Sequence, residues 1–85
     1  MMGKCITKIK AFEFVQWTGL NYDEVYKFCD GKVNWKDKFY GLLILYCANN
    51  QTVDVNYFIL KNTENDIVNY YLYTPERFYE LFEIV

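Results

Sequence analysis

From Ile6 to Trp17 β-branched and aromatic residues are interspersed with polar ones, the pattern of a half-buried first strand or of an irregular pair of strands. Thr18-Gly19 stops it. Asn21 stands three residues before Glu24, a capping-box arrangement, and Tyr22, Val25, Phe28 and Cys29 fall on one face at helical spacing, which predicts a helix over Asn21 to Cys29 closed by Asp30-Gly31. Lys32 to Trp35 reads as a short strand and Trp35-Lys36-Asp37-Lys38 as a turn into the longest apolar run, Phe39 to Ala48. That run is about half the length a membrane helix needs and is read as a buried central strand.

Asn49-Asn50-Gln51 is a turn by composition, Thr52 to Lys61 a further strand, Asn62 to Asp66 a polar hairpin loop, and Ile67 to Tyr73 the returning strand. Thr74-Pro75-Glu76 is the clearest local signal in the chain. Thr can cap a helix, Pro suits its first position because its φ is fixed and its donor absent, and Glu favours the positive end. A helix over Thr74 to Ile84 follows, with Phe78, Leu81, Phe82 and Val85 on its apolar face and Glu76, Glu80 and Glu83 opposite. The fold class is therefore α+β: one domain over 1–85, with a single small antiparallel sheet of about four to five strands, one helix after the first strand and a C-terminal helix.

Composition adds contact surface and removes common catalytic equipment. Aromatic residues make up 21% of the chain (nine Tyr, seven Phe, two Trp) and there is no His, the commonest general base and metal ligand. A core of this size does not hide all of these rings. A symmetric dimer is the economical way to cover the surplus. The net charge of −2 argues against a duplex nucleic-acid binder, whose affinity rests on Lys and Arg displacing counterions. Charge is uneven, with seven Lys against five acids up to Tyr40 and two bases against six acids from Gly41 onward.

Cys5, Cys29 and Cys47 form no C-x-x-C pair and have no His to complete a zinc site or activate a thiolate, so no metal and no cofactor are expected. They read as small buried hydrophobes in a reducing cytoplasm, with Cys5, near the terminus, as the one plausible reactive thiol. The start of the chain shows no signal-peptide pattern and no membrane association is expected. No catalytic residue is assigned, because the Asp, Glu, Cys, Tyr and Lys available for chemistry are not grouped in a recognised motif.

Val15-Gln16-Trp17-Thr18-Gly19, Asn21-Tyr22-Asp23-Glu24-Val25, Phe28 and Gly31, and in the second half Asn56-Tyr57-Phe58-Ile59, Lys61, Tyr70-Tyr71, Pro75-Glu76 and Phe78, resemble a group of small uncharacterised proteins encoded in phages and prophages of Gram-positive bacteria. The shared residues are turn stops, helix caps and core aromatics. Val55, Leu72 and Tyr73 depart from the group's pattern, where Gly, Pro and Cys are usual. The resemblance implies a phage accessory product acting in the host bacterial cytoplasm. Such products are often small binders or inhibitors aimed at host machinery, a defence effector among the targets, as in anti-CRISPR and other anti-defence proteins.

The expected function is accordingly non-enzymatic capture of a host protein. Trp35, Tyr40, Tyr71 and Tyr73 are the candidate contacts, since large half-polar rings dominate interface energetics. Tyr71 and Tyr73 should share one sheet face, with Trp35 or Tyr40 near its margin. Glu76, Glu80 and Glu83 would supply charge to a basic partner, although such a line also serves as a solvated helix face. Two alternatives belong to other classes: a module that sequesters a small nucleotide between aromatic rings, and a weak single-strand binder built on Trp35 among Lys32, Lys36 and Lys38.

Overall fold

The computed structural model describes residues 2–6, 11–46 and 49–85. Eight strands and two short helices follow in the order β1 (Met2–Ile6), β2 (Ala11–Gln16), α1 (Tyr22–Phe28), β3 (Val33–Asp37), β4 (Leu42–Leu45), β5 (Gln51–Val53), β6 (Phe58–Glu64), β7 (Ile67–Tyr73), α2 (Pro75–Leu81) and β8 (Glu83–Ile84). The architecture is α+β, but with two sheets rather than one. A five-stranded sheet runs β7-β6-β2-β1-β8, and a three-stranded sheet runs β3-β4-β5. All pairings are antiparallel.

Alternation along the strands sends residues of the large sheet to two separate cores. On one face Cys5, Phe14, Phe58 and Leu60 meet Phe78 and Phe82 of the C-terminal segment. On the other, Val15, Ile59 and Tyr70 meet α1 through Val25, Phe28 and Cys29, and meet the small sheet through Val33, Leu43, Leu45 and Val53. The large sheet is thus a middle layer. α2 lies on one side and α1 with the small sheet on the other.

The expected strand over Thr52 to Lys61 is two strands in different sheets. Residues 54–57 break it, with Asn56 at a φ of 75° and Asp54 Oδ1 accepting from Val55 N–H at 2.7 Å. The expected buried strand Phe39 to Ala48 shrinks to β4. It is central in its sheet as anticipated, but Phe39 and Tyr40 belong to the preceding turn, and Cys47 and Ala48 lie outside the described residues. Of the strand or irregular pair of strands expected over Ile6 to Trp17, β2 lies within the range, whereas its partner β1 runs over Met2–Ile6, ahead of it, and residues 7–10 lie outside the described residues. The hairpin loop narrows to Asn65-Asp66, both at positive φ (52° and 64°), the two-residue turn whose twist matches its strands.

α1 and α2 form where the chain predicts them, with different ends. Thr74 caps α2 by accepting from Arg77 N–H at 3.3 Å, and Pro75 opens the first turn. The helix stops at Leu81, four residues short of the chain end, because the segment after Phe82 turns extended: β8 pairs Glu83 with Ile6 and Ile84 with Cys5. Leu81 and Val85 are consequently exposed, while Phe78 and Phe82 are buried. At α1 the capping box forms only in part. Asn21 Nδ2 donates to Glu24 Oε1 at 2.7 Å, but Asn21 Oδ1 turns back to accept from the backbone N–H and hydroxyl of Thr18 instead of capping the helix.

Candidate binding surface at the loop end

Three connections meet at one end of the molecule: 18–20 after β2, 38–41 between β3 and β4, and 54–57 between β5 and β6. They converge on Val55. A Cβ at Gly41 would come within 3.0 Å of Val55 Cγ2, and one at Gly19 within 3.6 Å of the same atom. Both glycines sit at positive φ (70° and 91°), a backbone that L side chains rarely adopt.

The β3–β4 turn is fixed by its own residues and by the core below it. Asp37 Oδ1 accepts from the N–H groups of Phe39 (2.9 Å) and Tyr40 (3.3 Å), an Asx-type turn. Fully buried Trp17, just beyond β2, donates from its indole Nε1 to the Gly41 carbonyl at 2.7 Å, tying the small sheet's turn to the large sheet's core. Trp35 continues this support, lying parallel to Tyr22 at 5.0 Å and edge-on to Trp17 at 5.5 Å. Burial, followed by the nearby Tyr26, Asp23 and Tyr46 charges, raises the Tyr22 phenol above its ordinary pKa.

This scaffold exposes three large apolar side chains alongside the polar Thr18, Lys38, Asp54 and Asn56. Leu20 is 96% exposed, Phe39 87% and Tyr40 68%, with the Phe39 and Tyr40 rings edge to face at 5.0 Å. A side chain of this size gains roughly 1.5–3 kcal/mol on full burial. Phe39 and Tyr40, on a turn held by Asp37 and Trp17, offer contact area at little ordering cost, and Leu20 adds a further exposed apolar side chain at the same end.

Of the residues anticipated from sequence, Tyr40 belongs to this end. Trp35 lies beneath it, half-buried, so its ring supports the loops instead of lining the margin of the Tyr71–Tyr73 face. Tyr71 and Tyr73 do share a face, the one that carries α2, where Tyr71 meets Phe12 and Tyr73 meets Phe82. Glu76 and Glu80 are exposed on α2, with Glu80 Oε2 3.5 Å from Arg77 Nη1. Glu83 is in β8, so the three carboxylates do not form one helical ridge. Leu20 and Phe39 carry no signal of this role in the sequence, because an apolar residue type gives no sign of exposure, although Asp37 four residues before Gly41 is a turn signal that places Phe39 and Tyr40 at its tip.

Cys5 is no reactive thiol. It lies in β1 between β2 and β8, without solvent exposure, and burial pushes its pKa up from 9.0 to about 11. Cys29 is likewise buried.

A concave region lies beside α1 on the large sheet. Lys4, Glu13 and Lys61 stand in register across β1, β2 and β6, and together with Glu24, Lys27 and Phe28 they line a groove of about 420 Å³. Lys61 is held there by Phe28, whose carbonyl accepts from Nζ at 2.9 Å and whose ring centroid is 4.3 Å away, and by Glu13 Oε2 at 3.8 Å. Its charge serves the C-terminal end of α1. The row was invisible in sequence because it depends on the register of three strands.

Comparison with protein-family models, with curated proteins and with solved structures found no significant match. No helix among the described residues is long and apolar enough to cross a membrane.

Proposed function

We propose that this is a non-enzymatic binding protein that captures a host protein through the loop end, in keeping with the phage accessory role that its sequence resemblance implies. The observation that carries the reading is the exposure of Leu20, Phe39 and Tyr40 at the loop end, the last two on a turn braced by Trp17 and Asp37. An apolar surface that served only to fold the chain would be buried; one held rigid in water suits the aromatic centre of an interface. The burial of Cys5 and Cys29 fits a role without thiol chemistry.

The test is affinity capture from host lysate with tagged wild-type protein, compared with Phe39→Ala and Tyr40→Ala. Loss of a captured protein by at least about 30-fold in affinity, the equivalent of about 2 kcal/mol, is expected for an interface anchor. Capture unaffected by both substitutions would reject the loop end.

A second reading rests on the groove, whose size falls within the range of small-ligand sites and whose rim carries Lys4, Lys27 and Lys61. It predicts calorimetric binding of an anionic nucleotide that Lys4→Ala weakens. The loop-end variants would leave that binding unchanged.

A further inference from the structure

The groove beside α1 divides its charges unequally. Its two carboxylates are engaged: Glu13 Oε2 lies 3.8 Å from Lys61 Nζ, and Glu24 Oε1 accepts from Asn21 Nδ2 at 2.7 Å. Lys61 is engaged as well, and by donating to the Phe28 carbonyl it neutralises the negative end of α1, which would otherwise oppose an anion. Lys4, on β1, and Lys27, in the last turn of α1, line the same groove and are exposed. Among the described residues no carboxylate forms an ion pair with either of them.

The same walls offer little that reads a base. Bases are held by stacking on ring faces and by hydrogen bonds to their edges. Among the described residues lining the groove Phe28 is the only aromatic one, and it is 5% exposed with Lys61 Nζ 4.3 Å from its ring centroid, so its face is already covered. The exposed ring of α1, Tyr26, neighbours Tyr22 at 6.0 Å and does not line the groove. Met2 and Gly3 complete the lining without a polar side chain.

We infer that this groove binds a polyphosphate chain and not the nucleoside attached to it, the chain lying between Lys4 of the sheet and Lys27 of the helix. The inference rests on the second functional reading, an anionic nucleotide in the groove, and narrows what is recognised. Each free ammonium group supplies charge-assisted donors to phosphate oxygens. A nucleoside finds no ring face here and stays in water. Affinity therefore follows the charge of the phosphate chain and falls as salt screens it, whichever base is attached. Inorganic tripolyphosphate and a nucleoside triphosphate present the same chain to the two lysines. The loop end takes no part, so the inference is independent of host capture.

Titration calorimetry with inorganic tripolyphosphate, ATP, GTP and CTP, in buffer without divalent cations, tests it. The four should bind within about 3-fold of one another, because the base adds no contact. Lys4→Ala and Lys27→Ala should each weaken all four by about 10-fold or more, the loss of a charged hydrogen-bond donor. Lys36→Ala, in the small sheet, should change nothing. All three lysines are exposed, so the variants should melt with the wild type. Nucleotide binding without tripolyphosphate binding, or a preference of about 10-fold among the three bases, overturns the inference and leaves the nucleotide reading in place. Failure of all four to bind overturns both, as does binding that survives Lys4→Ala and Lys27→Ala or that Lys36→Ala weakens equally.

Discussion

The chain contains two Phe-Tyr pairs with opposite fates. Phe78 and Tyr79 in α2 and Phe39 and Tyr40 in the β3–β4 turn each stand edge to face, with centroids 5.4 and 5.0 Å apart. Phe78 has no exposure and lies parallel to Phe58 at 3.8 Å, whereas Phe39 is 87% exposed. Residue type does not separate them. α2 is laid across the large sheet by its capped first turn, so Phe78 enters a core already lined by Phe14, Phe58 and Leu60. The turn at 38–41 points away from both cores, and its bonds to Asp37 and Trp17 hold it there. Aromatic residues thus stabilise one region and are carried as a free surface by the other.

The sharpest way to break this contrast is to truncate the buried member. Phe78→Ala should destabilise the protein by about 3–5 kcal/mol, enough to threaten a domain of this size, as read by chemical denaturation. A melting temperature close to that of the wild type would show that α2 is peripheral.

The brace between the two regions comes next. Trp17→Phe leaves the Gly41 carbonyl without its indole donor and should cost about 1–3 kcal/mol. It should also speed hydrogen exchange in residues 38–41. Unchanged exchange there would mean that the turn holds itself without the core.

Cys5 sharpens the account of the α2 side through pH. The folded state holds the thiol neutral, with its pKa raised from 9.0 to about 11. Its contribution is complete below pH 9.0 and is lost as pH rises toward 11, because the unfolded chain ionises while the folded one must keep its proton. Melting curves across this interval should fall less steeply for Cys5→Ala than for the wild type. Equal slopes would place the thiol in contact with water.

The legible parts of the fold are those fixed by local chemistry. Thr74-Pro75 announces α2 because both residues act within one helical turn, and Asn21 with Glu24 marks α1 even though Asn21 turns its oxygen to Thr18. The division into two sheets is not local. β5 and β6 have the same composition whether or not a bend at 54–57 sends them apart, and the Lys4-Glu13-Lys61 row exists only once three strands are aligned. Tyr71 and Tyr73 share the face that strand alternation requires, but Trp35 lies on the other side of the molecule because β3 belongs to the second sheet. Glu83 leaves the helical series because β1 needs an edge partner, and β8 supplies it.

The smallest expected effect on stability accompanies the largest on function. Phe39→Ala should change folding stability by no more than about 0.5 kcal/mol, since its side chain rests on little but Tyr40. The most direct test is to measure, on this one variant, both the melting temperature and the affinity for the captured host protein. An unchanged melting temperature with affinity weakened by about 30-fold or more is the predicted result. Undiminished affinity in a folded variant would contradict the assignment of the loop end as the binding surface.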